Sequence, residues 1–465
     1  MNKNILAGCL LFFTASVLTL FSGGCAQIGM PTGGPKDTTA PLMVKANPAN
    51  EQLNFTGNKI TFTFDEYIEL QDVQANLLVA PFPKVMPSVN SNLKTVTVKL
   101  KDTLKPNTTY SIDFGNAIKD VNEGNVYKDF VYTFSTGAYI DSLELSGKMM
   151  LAESGKTDST LLALLYRDSP DSAVTKRKPD YISRIKGDGS FLFTHLPSGN
   201  FKLYALKDGD GNKYYNSKTE LFAFHTDDIT LPATSKPVTI YAYAEEKPAE
   251  NKTTTAEKKQ AEKKLRYSTN LAGMRQDLLS PFEISFNTPI RKFDTAAIYL
   301  TDTSFNKISG VKLTFDSTRK ILTVTTRWQP EMPLNFILPQ EAIDDSVGNT
   351  LAKSDTIRFY VKSTTEYGSV TLRFKNLDIS RKPVLLFTDG TNIRSSYPLT
   401  GSEWTNKLFP PGEYEIRILY DGNGNGKWDP GHYADKLQPE KVISFTQKLT
   451  VKADWENERD INIGD

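Results

Sequence analysis

Beyond residue 40, apolar and polar positions alternate with a period of two in short runs. Lys59-Ile60-Thr61-Phe62-Thr63-Phe64 alternates three times and stops at Asp65; Pro281-Phe282-Glu283-Ile284-Ser285-Phe286 does the same and stops at Asn287. Such runs predict strands with one face in a core and the other in water, each closed by a short polar side chain that starts a turn. The runs are brief and are separated by Gly, Asn, Asp and Pro, the pattern of β-sandwiches. The first residues differ. Lys3 precedes a nearly unbroken apolar run, Ile5 to Phe21, and Ser22-Gly23-Gly24 follows it. A charged start, an apolar stretch and small residues predict an export signal over 1–24. The run falls slightly short of the roughly 20 residues a spanning helix needs.

The alternating part is used twice. Thr95-Val96-Thr97-Val98 aligns with Ile321-Leu322-Thr323-Val324, Ala117-Ile118-Lys119-Asp120 with Ala342-Ile343-Asp344-Asp345, and Gly124-Asn125 with Gly348-Asn349. Another kind of segment follows each copy. Gly199-Asn200-Phe201-Lys202-Leu203 aligns with Gly412-Glu413-Tyr414-Glu415-Ile416, and Asp208-Gly209-Asp210-Gly211-Asn212 with Asp421-Gly422-Asn423-Gly424-Asn425. The expected organisation is an all-β chain of four sandwiches arranged as a duplicated pair: A (41–137), B (138–244), A′ (267–363) and B′ (364–465). Residues 25–40, rich in Gly, Pro and Thr, read as a flexible tether, and the charged segment 245–266 as a linker, helical from Ala256 to Arg266.

Three resemblances follow from these residues. Small residues directly before Cys25 resemble the lipobox of bacterial lipoproteins, which implies acylation of the Cys25 thiol, by chains such as palmitate, and cleavage just before it. Leu6-Ala7-Gly8-Cys9 matches the usual lipobox better, but Cys9 precedes the apolar run and cannot serve a peptidase acting at its far end. Leu104-x-Pro106-x-Thr108-x-Tyr110 has the spacing of a tyrosine corner, in which the hydroxyl bonds back to the upstream backbone. With Ile118-x-Asp120 and Gly124-Asn125, it resembles the bacterial Ig-like domain of S-layer and envelope proteins; in A′ the corner position is read as Phe336, which lacks the hydroxyl. Gly189-Ser190-Phe191-Leu192-Phe193 followed by Leu196-Pro197-Ser198-Gly199 resembles the transthyretin-like, carboxypeptidase-regulatory sandwich. Both module families are mostly non-catalytic scaffolds.

Composition narrows the chemistry. The chain has 55 Lys+Arg against 54 Asp+Glu, a formal charge of +1 that becomes zero once Lys3 leaves with the signal, so nothing favours nucleic acid as a partner. Of the 2 Cys, Cys9 leaves and Cys25 is acylated, so no thiol remains for a disulfide, a nucleophile or a metal. The 3 His (His195, His225, His432) are far apart in sequence, and no G-x-S-x-G elbow precedes a helix. The adjacent acids Asp65-Glu66, Asp227-Asp228 and Asp344-Asp345 face opposite sides of a strand and make no acid–base dyad.

One local pattern has the chemistry of a binding site. Asp421, Asn423, Asn425 and Asp429 stand at positions 1, 3, 5 and 9 of a Ca²⁺ loop, with Gly426 at 6 and the Lys427 carbonyl at 7. Position 12 is His432, a poor ligand for a hard cation, and Asp435 replaces it only in an irregular loop. The competing reading is a turn in which Asp and Asn bond their own backbone. Asp208, Asp210 and Asn212 repeat the front of the pattern, but Lys213 replaces the glycine and its charge opposes a metal. No cofactor is required, and a structural Ca²⁺ is the one candidate.

The expected function is a non-catalytic, membrane-anchored envelope lipoprotein, a structural or adhesive scaffold held on the outer membrane by its lipid, with an envelope protein or a glycan as partner and the side of the membrane left open. The alternatives are a glycan-binding accessory lipoprotein of a polysaccharide-uptake system, using Tyr397, Trp404, Trp428 and Tyr433 as stacking surfaces, and a metal- or carboxylate-dependent hydrolase, which needs convergent acids in a pocket.

Overall fold

The computed structural model describes residues 36–234, 236–247, 264–390 and 392–464. The export signal, Cys9, Cys25 and most of the 245–266 linker, with its expected helix, lie outside these residues. The described chain is almost wholly strand and turn, in two compact units, one up to Ile140 and one from Asp141 onward.

In the first unit the strands are β1 (Met43–Asn47), β2 (Lys59–Phe64), β3 (Ile68–Leu70), β4 (Leu78–Ala80), β5 (Ser88–Asn92), β6 (Thr95–Lys99), β7 (Thr109–Asp113), β8 (Ile118–Asp120) and β9 (Val131–Ser135). Sheet β1-β2-β6-β5 packs on β4-β7-β9, and β3 pairs with β8. The alternation in β2 puts Ile60, Phe62 and Phe64 inside, where Phe62 meets Phe114, Phe130 and Tyr132 edge-on. Each fully buried aromatic of this kind contributes about 2–3 kcal/mol of transfer free energy.

The second unit holds three sandwiches. In B, β10 (Leu143–Leu151), β13 (Ser190–Leu196) and β17 (Val238–Ala242) form sheet β13-β10-β17. Strands β11 (Leu162–Arg167), β12 (Tyr181–Arg184), β14 (Gly199–Leu206) and β15 (Phe222–Phe224) form β12-β11-β14-β15, and β16 (Ile229–Leu231) also pairs with β14. In A′ the strands are β18 (Tyr267–Thr269), β19 (Arg275–Gln276), β20 (Phe282–Phe286), β21 (Ile290–Phe293), β22 (Tyr299–Thr301), β23 (Lys312–Phe315), β24 (Ile321–Thr325), β25 (Pro333–Leu338), β26 (Ile343–Asp345) and β27 (Asp355–Val361). Their order, β18-β20-β24-β23, β19-β27-β25-β22 and β21-β26, repeats that of A strand for strand, and β19 takes the place of a single Gln52–Phe134 bridge. In B′ the strands are β28 (Gly368–Lys375), β29 (Pro383–Asp389), β30 (Asn392–Pro398), β31 (Glu403–Phe409), β32 (Gly412–Tyr420), β33 (Val442–Ser444), β34 (Leu449–Val451) and β35 (Glu456–Asn462). Sheets β31-β28-β35 and β30-β29-β32-β33, with β34 on β32, repeat B; in both copies the first and last strands run parallel.

Three sequence expectations need correction. Register places Leu334, not Phe336, at the A′ corner: Tyr110 pairs across to Phe134 and Leu334 to Phe359, while Phe336 pairs with Ile357, as Ile112 does with Tyr132. A′ holds this corner with Trp328, whose Nε1–H donates to the Ser280 carbonyl at 3.0 Å. In A, the Lys105 N–H donates to the Tyr110 hydroxyl at 2.8 Å. The linker is shorter at both ends than expected, because the Glu245 side chain is buried against B′ and Leu265 is buried in the A′ core. The first sandwich also takes in part of the expected tether, since the Asp37 carbonyl accepts the Asn125 amide at 3.2 Å.

Asp120 and Asp345 hold equivalent turns. Asp120 is fully buried and accepts N–H groups from Glu123, Gly124 and Asn125 at 2.6–3.0 Å. Asp345, also fully buried, accepts from Val347 N, Asn349 N, Asn349 Nδ2 and Thr288 Oγ1 at 2.8–3.0 Å. Burial pushes both carboxyls up, but the hydrogen bonds outweigh it and hold both below the usual range. A carboxyl depressed in the folded state stabilises above the unfolded value, about 3.9, and loses that contribution as pH falls through the folded value. The variants Asp120→Asn and Asp345→Asn are therefore expected to be less stable than the wild type at pH 7, with the difference shrinking below about pH 4. Urea midpoints from pH 7 to pH 2 check this; a difference that is constant with pH would contradict it.

Candidate functional site

The residues expected to hold Ca²⁺ follow β32. Asp421 is 2% exposed, and both carboxylate oxygens are occupied: Oδ1 accepts Gly424 N (2.6 Å) and Asn425 N (3.2 Å), and Oδ2 accepts Gly426 N (2.6 Å). Asn423 and Asn425 direct their Nδ2 groups to Asp429 Oδ2 at 2.5 and 2.7 Å. Their Oδ1 atoms accept Asn425 N and Lys427 N at 2.9 and 2.7 Å. These five residues thus form a turn closed by its own backbone and side chains. The B copy closes differently. Lys213 puts its ammonium and its N–H on Asp208, whose side chain is 3% exposed, while Asp210 accepts Asn212 N. Among the described residues, no group of three or more His, Cys, Asp and Glu is placed to hold a metal.

The B′ turn continues into an arm with no counterpart in B. Its base is held by Glu440, whose carboxylate accepts Gly422 N at 2.7 Å and Asp429 N at 3.1 Å, while the Glu440 carbonyl accepts Trp428 Nε1 at 3.0 Å. Its tip is closed by the reciprocal backbone bonds of His432 and Leu437, 2.9 and 3.0 Å. Gly431 lies so close to B that a Cβ there would stand 2.6 Å from the Tyr243 ring and 2.6 Å from the Leu437 carbonyl oxygen, and only glycine fits.

The tip inserts Tyr433 into the second sandwich. Its ring stands edge-on to Phe222 (5.0 Å), Phe224 (5.3 Å), Tyr204 (5.9 Å) and Tyr215 (6.1 Å), the geometry that ring quadrupoles prefer. Its hydroxyl donates to the Asp171 carbonyl at 2.7 Å, which leaves Tyr204 as donor in the 3.1 Å bond between the two phenols. Burial pushes both phenols up, so they stay neutral donors at physiological pH. Polar contacts ring the tip. Glu245, 5% exposed at its side chain, accepts Tyr433 N at 2.9 Å and lies 3.4 Å from His432 Nε2. Lys436 pairs with Asp171 at 2.9 Å, and Gln438 donates to the Phe224 carbonyl at 3.0 Å. B and B′ also meet outside the arm, where Lys156 pairs with Glu415 at 3.0 Å and Ser444 bonds the Ser154 carbonyl. B and B′ are therefore joined directly, although A′ lies between them in sequence.

This arrangement reassigns several candidate residues. Of the aromatics expected to stack on sugars, Tyr433 is buried between the sandwiches. Tyr397 and Trp404 pack on Phe387, and Trp428 lies against the Val384, Leu386, Leu419 and Val442 cluster. His195 and His225 are not paired: one bonds Thr194 Oγ1 (3.1 Å) and the other the Asp227 carbonyl (2.8 Å). The adjacent acids take separate partners, Asp344 with Arg291 and Asp228 with Lys202. A cavity of about 270 Å³ between His225, Tyr241 and Lys441 is smaller than the 300–1,000 Å³ usual for ligand pockets. The sequence signal for the arm was its length: 421–441 joins β32 to β33 with 21 residues where 207–221 joins β14 to β15 with 15, and the longer loop carries an aromatic at its tip.

No curated protein matches the chain. Among solved structures it is similar to the Bacillus anthracis TIE protein (11% identity, 93% of this chain and 76% of that one, TM-score 0.17). It is also similar to BcpA, the major pilin subunit of Bacillus cereus (9%, 69% and 98%, TM-score 0.16), and to the N-terminal part of the bacterial S-layer protein SbsC (14%, 44% and 44%, TM-score 0.17). Residues 37–136, the whole first sandwich, match the family model of the bacterial Ig-like domain.

Proposed function

We propose that the chain is a non-catalytic scaffold of the cell envelope, held on the outer membrane by acyl chains on Cys25. The observation that carries this reading is where the buried polar groups are used. Asp120, Asp345 and Asp421 are spent on backbone amides, and Glu245 on the arm tip, so they hold turns and join sandwiches instead of facing a reacting centre. The Tyr433 arm fits the same purpose, because it fixes two sandwiches to each other and gives the second unit one mechanical body. The anchor supplies attachment, since each acyl CH₂ in the bilayer adds about 0.8 kcal/mol. Neither the arrangement of the aromatics nor that of the acids favours the glycan or the hydrolase reading.

The test is Cys25→Ser in the native cell. The wild type is expected to incorporate labelled palmitate and to stay with the membrane after an alkaline wash, and the variant to lose the label and appear in the soluble fraction. A variant that keeps both label and membrane association would overturn the anchor.

A further inference from the structure

The first sandwich leaves four large apolar side chains exposed at one end: Leu42 (58%), Tyr67 (51%), Leu93 (69%) and Val121 (53%). Hydrogen bonds of the backbone and of the Asp65 side chain place them together. Leu42 N donates to Asp65 and the Leu42 carbonyl accepts Asp65 N (2.7 and 3.1 Å), Ile68 N donates to the Leu93 carbonyl (2.9 Å), and Val121 N donates to the Tyr67 carbonyl (3.0 Å). The chain comes into the sandwich at this end, where the Asp37 carbonyl meets Asn125. It leaves at the other end, beside the Tyr110 corner, where Thr136 N bonds the Thr108 carbonyl. A cluster of exposed apolar side chains on a soluble module marks a contact surface.

We propose that this end of the first sandwich is a second membrane contact, which lays Leu42, Tyr67, Leu93 and Val121 into the headgroup–acyl boundary of the bilayer that holds the lipid anchor. The inference rests on acylation at Cys25. The twelve peptide units from Cys25 to Asp37 span at most about 40 Å and join the sandwich at this end, so the anchor keeps this end within reach of the surface. Aliphatic and Tyr side chains are what the interface accepts. The charge around them selects the lipid: Asp37, Asp65, Glu66 and Glu123 surround the patch, with Lys94 beside Tyr67. That ring repels an anionic surface and pairs with ammonium headgroups, so the partner is a zwitterionic bilayer rich in phosphatidylethanolamine.

The experiment uses the acylated full chain in phosphatidylethanolamine/phosphatidylcholine vesicles. Once Cys9 has left with the signal, the remaining Cys25 carries the lipid, so Leu93→Cys offers one free thiol for an environment-sensitive fluorophore, and Lys101→Cys, exposed at the far end, is the control. On vesicle-bound protein, spin-labelled lipid is expected to quench the label at 93 several-fold more than the label at 101, and replacing a third of the lipid with phosphatidylglycerol is expected to reduce the difference. The combined variant Leu42→Ser, Tyr67→Ser, Val121→Ser should abolish the difference while the protein still floats with the vesicles. Equal quenching at 93 and 101 on floated protein overturns the membrane contact and leaves the anchor standing, whereas failure to float removes the anchor itself. A 93 label that stays in water on vesicles but is shielded and cross-linked by an envelope protein assigns the patch to a protein partner and overturns the proposal.

Discussion

Tyr433→Ala is expected to destabilise the second unit by about 3–5 kcal/mol, the usual cost of removing a packed aromatic, and to separate the unfolding of B from that of B′. The ring is enclosed by Tyr204, Phe222 and Phe224 from strands β14 and β15 of B and by Tyr215 from the loop between them. Nothing in B replaces the lost volume, and the cage opens to water. The surrounding ion pairs do not compensate. Lys436–Asp171 is a half-exposed contact, and such pairs are worth about 0–1 kcal/mol. Tyr433→Phe separates ring from hydroxyl: it keeps the packing but leaves the Asp171 carbonyl and the Tyr204 hydroxyl short of a partner, a loss of about 1–2 kcal/mol. Calorimetry and denaturant titration of the full chain measure both. The alanine variant should show an additional transition and the phenylalanine variant a shifted but undivided one; an unchanged profile for Tyr433→Ala would mean that the sandwiches are held together elsewhere.

The duplication was legible in the sequence because it is written in local patterns. Period-two alternation survives in β2 and β20, and the Asp of each Ile-x-Asp keeps its turn-holding role at Asp120 and Asp345, so both could be aligned without coordinates. Register was harder. In the Trp328-x-Pro330 context Phe336 reads as the counterpart of Tyr110, but cross-strand pairing selects Leu334; a shift of two residues preserves the face and so leaves the alternation intact. The junction was not legible. Tyr433 and Glu245 are far apart in the chain, and each reads locally as a surface residue of a loop or linker. Only the fold brings them together, and the identity of an aromatic cannot say whether its partner is a ligand or another module. The 421–429 turn shows the same limit from the other side: its composition suits a cation and an Asx turn equally, and the choice depends on where the Asp421 oxygens point.

Asp421→Ala is expected to cost about 2–4 kcal/mol and to release the arm as well as the turn. The carboxylate is buried and gathers three backbone N–H groups, two of them at 2.6 Å, the short range of charge-assisted bonds. Removing it leaves those donors converging on a vacated position, where water reaches them only after the turn opens. Opening the turn moves Gly422 and Asp429, whose N–H groups both bond Glu440, so the base of the arm loosens and Tyr433 loses its support. Asp429→Ala should cost less, about 1 kcal/mol, because it removes only the two bonds from the exposed amides of Asn423 and Asn425. Two measurements separate this account from a metal loop. The wild type should melt at the same temperature in millimolar Ca²⁺ and in chelator, because its carboxylates already have donors; a rise of several degrees with Ca²⁺, lost in Asp421→Ala, would show that the Asn oxygens turn inward to ligate a cation. The double variant Asp421→Ala, Tyr433→Ala should be clearly less destabilised than the sum of its parts, because both changes release the same arm. Strict additivity would mean that the turn and the docked tip are energetically independent, and that Asp421 holds only its own loop.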